Sequence, residues 1–198
     1  MHRALFSVLI QCVLIGGLWA EDAPTIKCPS PDGRFALRIA APAEGSNECS
    51  TDLIEKETGN AVLDLLTVYE AHIKDTVLVW SADSKWVAYA TRDNRQGDTS
   101  VYFWNGTKFE EVPLPENLPD PNIKFGKTAE GGGVKNYGGG TKPLSWLKSG
   151  DLELATDVTM LSRGDDRSYT GTVKFTVSFD AQHHAKVRSV GKTTTKVD

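Results

Sequence analysis

Cysteine is scarce in this chain, with three among 198 residues, and one of these, Cys12, lies in the apolar run near the N-terminus. Beyond Leu18 no apolar run approaches the roughly 18–20 residues needed to cross a bilayer as a helix, so no membrane span is expected after the first residues. No stripe is dense in Lys or Arg, and 22 basic residues stand against 26 acidic ones for a formal net charge of −4. That balance argues against nucleic acid and anionic membrane surfaces as partners. A convincing helical period is missing throughout. So are the motifs of the common nucleophile and phosphate sites. No serine lies in G-x-S-x-G, and Gly126-Lys127-Thr128 lacks the glycine a phosphate loop needs five residues earlier, where Pro121 stands. Cofactor and metal are therefore both expected to be none.

What is present begins with a leader. Met1, His2 and Arg3 make a short positive start, an apolar run extends from Ala4 to Leu18, and Ala20 precedes Glu21-Asp22-Ala23-Pro24. This is the pattern of a signal peptide over residues 1–20, with cleavage after Ala20 and an uncleaved anchor as the alternative reading. Acylation of Cys12 is disfavoured, because Gln11 stands where a small residue is required and the apolar run continues past it. Export would leave a soluble periplasmic or secreted domain over 21–198 with two cysteines, Cys28 and Cys49. In an oxidising compartment these are expected to form a disulfide. Closing a loop of about 22 residues would contribute roughly 3 kcal/mol by constraining the unfolded chain.

The remainder alternates short β-rich runs with turn clusters, the signature of an all-β fold built from antiparallel hairpins. Strands are expected at Phe35–Ile39, Thr51–Glu55, Ala61–Leu65, Val77–Trp80, Trp86–Thr91, Ser100–Trp104, Lys108–Val112, Leu144–Trp146, Leu152–Thr159, Thr170–Phe179 and Ala185–Val190. Pro31-Asp32-Gly33 and Asn105-Gly106 mark turns because Gly and Asn tolerate positive φ. A repeat underlies this order. Ser30-Pro31-Asp32-Gly33-Arg34-Phe35-Ala36-Leu37 aligns with Ser81-Ala82-Asp83-Ser84-Lys85-Trp86-Val87-Ala88, and Trp146 to Leu152 echoes both. Spacings of about 50 and 65 residues point to two or three blade-like units that stack, in a partial propeller or a β-sandwich.

The segment Val79-Trp80-Ser81-Ala82-Asp83-Ser84-Lys85-Trp86-Val87-Ala88-Tyr89 resembles the W-S-P-D-G-K-x-I-A-Y signature of bacterial WD40-like, TolB-type β-propeller repeats, and Val101 to Gly106 fits the outer hairpin of such a blade. The resemblance covers residues 27–112. Ala82 takes the place of the usual proline and Ser84 that of the usual glycine. The chain is also similar to small exported bacterial proteins. These resemblances imply a propeller-like fold, with an open edge unless an oligomer completes it.

Between Pro113 and Pro143 the character changes. Pro113, Pro115, Pro119 and Pro121 discourage sheet pairing, and Gly131-Gly132-Gly133 with Gly138-Gly139-Gly140 read as a mobile connector over 113–143, a ligand lid being the alternative. Candidate chemistry is sparse. His183-His184 lie in a turn, and adjacent strand residues would point to opposite faces. His72 has no evident nucleophile beside it. Asp32, Asp83, Asp98, Asp151, Asp165 and Asp166 are spread over turns, where carboxylates bond local amides. Arg163-Gly164-Asp165 and the sequon Asn105-Gly106-Thr107 have structural explanations as turns. Of the strand aromatics Trp80, Trp86, Tyr89, Tyr102, Trp104 and Trp146, the set Trp86, Tyr89, Tyr102 and Trp104 offers ligand-facing rings, against the alternative that they fill the core. The expected function is a non-enzymatic exported domain that binds a protein or envelope component. A small hydrolase with an Asp/His site is the alternative, and a structural module that seals a partner's sheet edge, or a homo-oligomer, is the third.

Overall fold

The computed structural model describes residues 23–93, 95–126 and 132–198. The leader with its cleavage point, Cys12, and Lys127, Thr128 and Gly131 lie outside them. Among the described residues the fold is all-β, in three antiparallel meanders. The first comprises β1 (Thr25–Lys27) and β2 (Phe35–Ile39), then, after the short strand β3 (Glu48–Cys49), β4 (Thr51–Glu55) and β5 (Ala61–Asp64), in the spatial order β1-β2-β4-β5. β6 (Val68–Tyr69) pairs with β3, and a 3-10 turn, Glu70–Asp75, leads onward. The second meander comprises β7 (Val77–Trp80), β8 (Trp86–Asp93), β9 (Gln96–Trp104) and β10 (Phe109–Glu111). The third comprises β11 (Val134–Trp146), β12 (Leu152–Ser162), β13 (Ser168–Phe179) and β14 (Ala185–Val190), and β15 (Thr194–Val197) pairs with the start of β13.

The repeat seen in the sequence is a repeated turn. In the first meander the Ser30 hydroxyl donates to Asp32 at 2.6 Å, Asp32 accepts the Arg34 amide at 3.0 Å, and the Ser30 Oγ accepts the Phe35 amide at 2.9 Å. Ser81, Asp83, Lys85 and Trp86 reproduce these bonds at 2.5, 3.1 and 2.9 Å. The position after each aspartate needs a left-handed backbone. Gly33 supplies it at φ 76° and Ser84 adopts it at φ 60°. The serine brings a compensation that glycine lacks, since Ser84 Oγ accepts the Asp32 amide at 3.0 Å and ties the two turns together. The third turn is one residue shorter, with Leu147 bonding Asp151 across it and Gly150 at φ 87°.

A second repeated device joins neighbouring meanders. Trp80 stands one residue before its turn and donates its indole N–H to the Cys28 carbonyl at 2.9 Å, two residues before the preceding turn. Trp146, one residue before the third turn, donates to Val79 at 3.2 Å in the same relation to the second. Buried indoles need such partners, and here the partner sets the register between blades.

Strand alternation then fills two cores. Val87, Tyr89 and Tyr102 of the middle meander pack with Phe35, Leu37, Ile39 and Leu53 of the first. From the opposite face, Ala88, Val101 and Trp86 pack with Leu152, Leu154, Phe175 and Val177 of the third. The middle sheet is therefore covered on both faces, and the strand period of two divides its side chains between the cores.

Two expectations are corrected here. The bridge between Cys28 and Cys49 is not formed, and both stand as free thiols in the first core. Cys28 sits past the end of β1 at a left-handed φ of 53°, whereas Cys49 belongs to the separate β3–β6 ladder; burial pushes both thiols up from their ordinary pKa. The described parts of the connector, residues 113–126 and 132–143, are also held in place. Leu114 and Leu118 pack on the second core, the Asn122 amide donates to Thr193 Oγ1 at 3.1 Å, and Phe125 meets Tyr169 edge-on with ring centroids 5.3 Å apart. A Cβ on Gly171 would lie 2.4 Å from Ile123, so this glycine makes room for the strap. From Val134 onward the segment is β11, which pairs with β12 over its whole length.

The turn carboxylates make stability fall in acid. Burial works to raise the Asp32 carboxyl, but the Ser30 hydroxyl and Arg34 amide outweigh it and hold its pKa below the ordinary value. Amide and ring bonds from His184 do the same for Asp180. A carboxyl depressed in the folded state stabilises above its unfolded pKa of about 4, and loses that contribution as pH falls through the lower folded value. Urea midpoints taken from pH 6 downward should therefore drop below about pH 4, with a shallower drop for Asp32→Asn. Identical pH profiles for the two proteins would contradict this role.

Candidate binding cleft at the joint of the second and third meanders

β9 and β11 run parallel where they meet, with Gly139 opposite Gln96 and Gly140 opposite Gly97. This contact merges two meanders into a nine-stranded sheet. It exists because the residues are glycine. A Cβ on Gly140 would stand 2.2 Å from the Gly97 carbonyl oxygen, one on Gly139 2.3 Å from the Asp157 oxygen, and one on Gly138 2.3 Å from the Arg95 oxygen. The Gly139 amide donates to the Arg95 carbonyl at 2.8 Å. Thr99 Oγ1 donates to the Thr141 carbonyl at 2.8 Å, and the Thr141 and Thr156 hydroxyls share a bond at 2.9 Å. The glycine triplet read as flexible is thus a backbone-to-backbone seam.

Beside the seam is a cleft of about 260 Å³. Val77 and Ala90 form its apolar part. Lys74 and Asp75 reach it from the end of the 3-10 turn, Arg92 from β8, Lys142 from β11 and Asp157 from β12. Arg92 Nη2 lies 3.8 Å from Asp157 Oδ2, beyond hydrogen-bond range, with the two side chains 41% and 18% exposed. Asp75 is taken by His72 Nδ1 at 3.3 Å. Lys74 and Lys142 have no ion-pair partner among the described residues.

The structure disperses the residues that sequence reasoning singled out. Asp32, Asp83 and Asp151 serve their own turns, and Asp151 also accepts Arg188 at 3.1 Å. Asp98 faces Thr91 in the β8–β9 ladder. Asp165 accepts the Tyr169 hydroxyl, which holds its carboxyl below the ordinary range, and Asp166 is left-handed at φ 54°. The carboxylate of the Arg163-Gly164-Asp165 tripeptide is therefore occupied within its own hairpin. His183 lies 4.0 Å from the Phe103 ring while His184 turns to Asp180 at 3.1 Å, so the pair does not converge. Among the described residues no group of three or more His, Cys, Asp or Glu side chains is arranged to hold a metal.

Of the aromatics offered as ligand-facing, Tyr89 and Tyr102 are buried at 1% and 7% exposure, which corrects that reading. The Tyr89 hydroxyl meets Thr51 at 3.1 Å and the Leu66 carbonyl at 3.2 Å, so the ring can close the first core without leaving a polar atom unpaired. Trp104 packs on Phe35 and Phe109 with Arg34 over its ring. Trp86 packs among Phe103, Trp146 and Phe179. Sequence reading missed Arg92, Lys142 and Asp157. The available signal was Gly138-Gly139-Gly140-Thr141-Lys142, where a strand without side chains leads directly to a cation.

Fold and site together define an all-β stack of three blade-like units with a cation-bearing cleft at one joint. No protein-family model matches the chain, and no curated protein matches it. Among solved structures, the crystal structure of TolB from Acinetobacter baumannii aligns with a TM-score of 0.34 and 8% identity over 83% of this chain. The alignment covers 43% of the TolB chain, so the present chain spans less than half of that protein's length. Among the described residues no helix is long and apolar enough to cross a membrane.

Proposed function

We propose that this chain is an exported, non-enzymatic, propeller-like binding domain that engages a protein or envelope component, with the cleft between β9 and β11 as its contact site. The observation that carries the reading is how the polar side chains are used. Asp32, Asp83 and Asp151 are bonded within their own turns, Asp165 to Tyr169 of its own hairpin and His184 to Asp180, and His72 meets Asp75 of its own 3-10 turn. The cleft, by contrast, offers unpaired cations beside a rigid backbone seam. Export rests on the leader's charge and hydropathy pattern.

The test is to express the full chain, tagged at its C-terminus, in a bacterial host, with a photo-cross-linking residue replacing Thr141. A product processed near Glu21 in the extracytoplasmic fraction, with a discrete cross-linked adduct, is expected. Unprocessed protein held in the cytoplasm, or turnover of a substrate that one Asp or His substitution abolishes, would overturn the reading.

A further inference from the structure

We infer that the cleft binds a compact oxyanion, a carboxylate or phosphate group, gripped by Arg92 with Lys142 and Lys74 beside it. The inference rests on the cleft being a contact site and adds the chemistry of what enters it. Arg34, Arg38 and Arg188 each reach a carboxylate within hydrogen-bond range, at 3.1, 2.6 and 3.1 Å, and Arg95 lies over the Tyr137 ring. Arg92, the arginine of the cleft, makes no such close contact. Its nearest carboxylate is 3.8 Å away, and its guanidinium makes no hydrogen bond to another described residue. Asp157 is close enough to orient the guanidinium by charge, yet too far to occupy its donor fork. A fork of five N–H donors matches the paired oxygens of a carboxylate or phosphate.

Charge in the cleft is biased the same way. Three cations share the space with two carboxylates, of which Asp75 is engaged by His72 and Asp157 faces Arg92. A concave site with excess positive charge concentrates anions beyond what the net-acidic chain would attract. The seam supplies rigidity, since Gly97, Gly139 and Gly140 form one wall and Lys142 follows two residues later on the same strand. A volume of about 260 Å³ suits a small anion or the charged end of a larger ligand, and Val77 and Ala90 leave an apolar patch for a short carbon skeleton.

The experiment is a nuclear magnetic resonance titration of the folded chain with citrate, with inorganic phosphate and, separately, with spermidine as a cationic probe. Saturable shifts of the Thr91, Gly97, Gly139 and Gly140 amides are expected with citrate, phosphate or both, and the stronger of the two names the source of the oxyanion. Arg92→Gln should weaken that binding at least about tenfold, as loss of a charge-assisted hydrogen bond does. Lys142→Gln should weaken it several-fold, and provides the second reading if Arg92→Gln perturbs the spectrum as a whole. Shifts with spermidine alone would overturn the oxyanion while leaving the cleft as a contact site. Silence of the cleft amides with all three probes would overturn the inference, the cross-linking test of the binding role being independent of it. Equal affinities in the parent and both variants would mean an adventitious ion only, and would overturn it as well.

Discussion

Phe35→Ala should cost about 3–5 kcal/mol, the range for removing a large aromatic from a close-packed core. Phe35 is 1% exposed, and its ring meets Trp80, Trp104 and Phe109 at centroid distances of 6.1, 5.1 and 5.1 Å. All three partners belong to the second meander or its outer strand, so the substitution empties the interface between blades rather than the inside of one. Neither meander is independently thick enough to close over the gap, which keeps the cavity contribution large. Urea unfolding gives the measurement, read as a lowered midpoint. A loss below about 1 kcal/mol would mean that the first meander is only loosely attached.

Gly140→Ala is the second large effect. A methyl group there meets the Gly97 carbonyl oxygen, amide nitrogen and Cα at 2.2, 2.6 and 2.7 Å, and these are backbone atoms that cannot rotate aside. Overpacking commonly costs about 1–3 kcal/mol, and backbone against backbone belongs at the upper end. The β9–β11 seam should open, and the Gly139 amide, bonded to Arg95 at 2.8 Å, should lose hydrogen-exchange protection. Gly126→Ala is the control, because nothing lies within 4 Å of a Cβ there and the backbone needs no left-handed conformation. A Gly140→Ala protein as stable as that control would show that the triplet is a connector after all. The same variant is expected to weaken any ligand of the cleft, since Lys142 is placed by the strand that the seam anchors.

Each part of the fold was readable from the sequence to the degree that it rests on local bonds. The Ser-x-Asp turns were legible because Ser30 with Asp32, and Ser81 with Asp83, make their hydrogen bonds within five residues. The strands flanking them were legible because alternation at Trp86, Val87, Ala88 and Tyr89 is a local pattern. β1, β3, β6 and β15 went unread, being short or polar strands that exist by pairing with distant partners. The tyrosines were assigned a face but not a fate. Alternation sends Tyr89 to one side of β8, and only the arrival of the first meander buries it.

The N-terminal leader pattern, the all-β class and the turn chemistry were legible in the sequence alone, because each depends on residues a few positions apart, and the blade-like repeat was legible because one such local pattern recurs further along the chain. Tertiary structure alone decided that Gly138-Gly139-Gly140 is a seam, that residues 113–126 are a docked strap, and that Arg92, Lys142 and Asp157 share one cleft. A glycine is flexible or tightly packed according to what lies against it. For Gly140 that neighbour is Gly97, brought there by the path of two entire meanders.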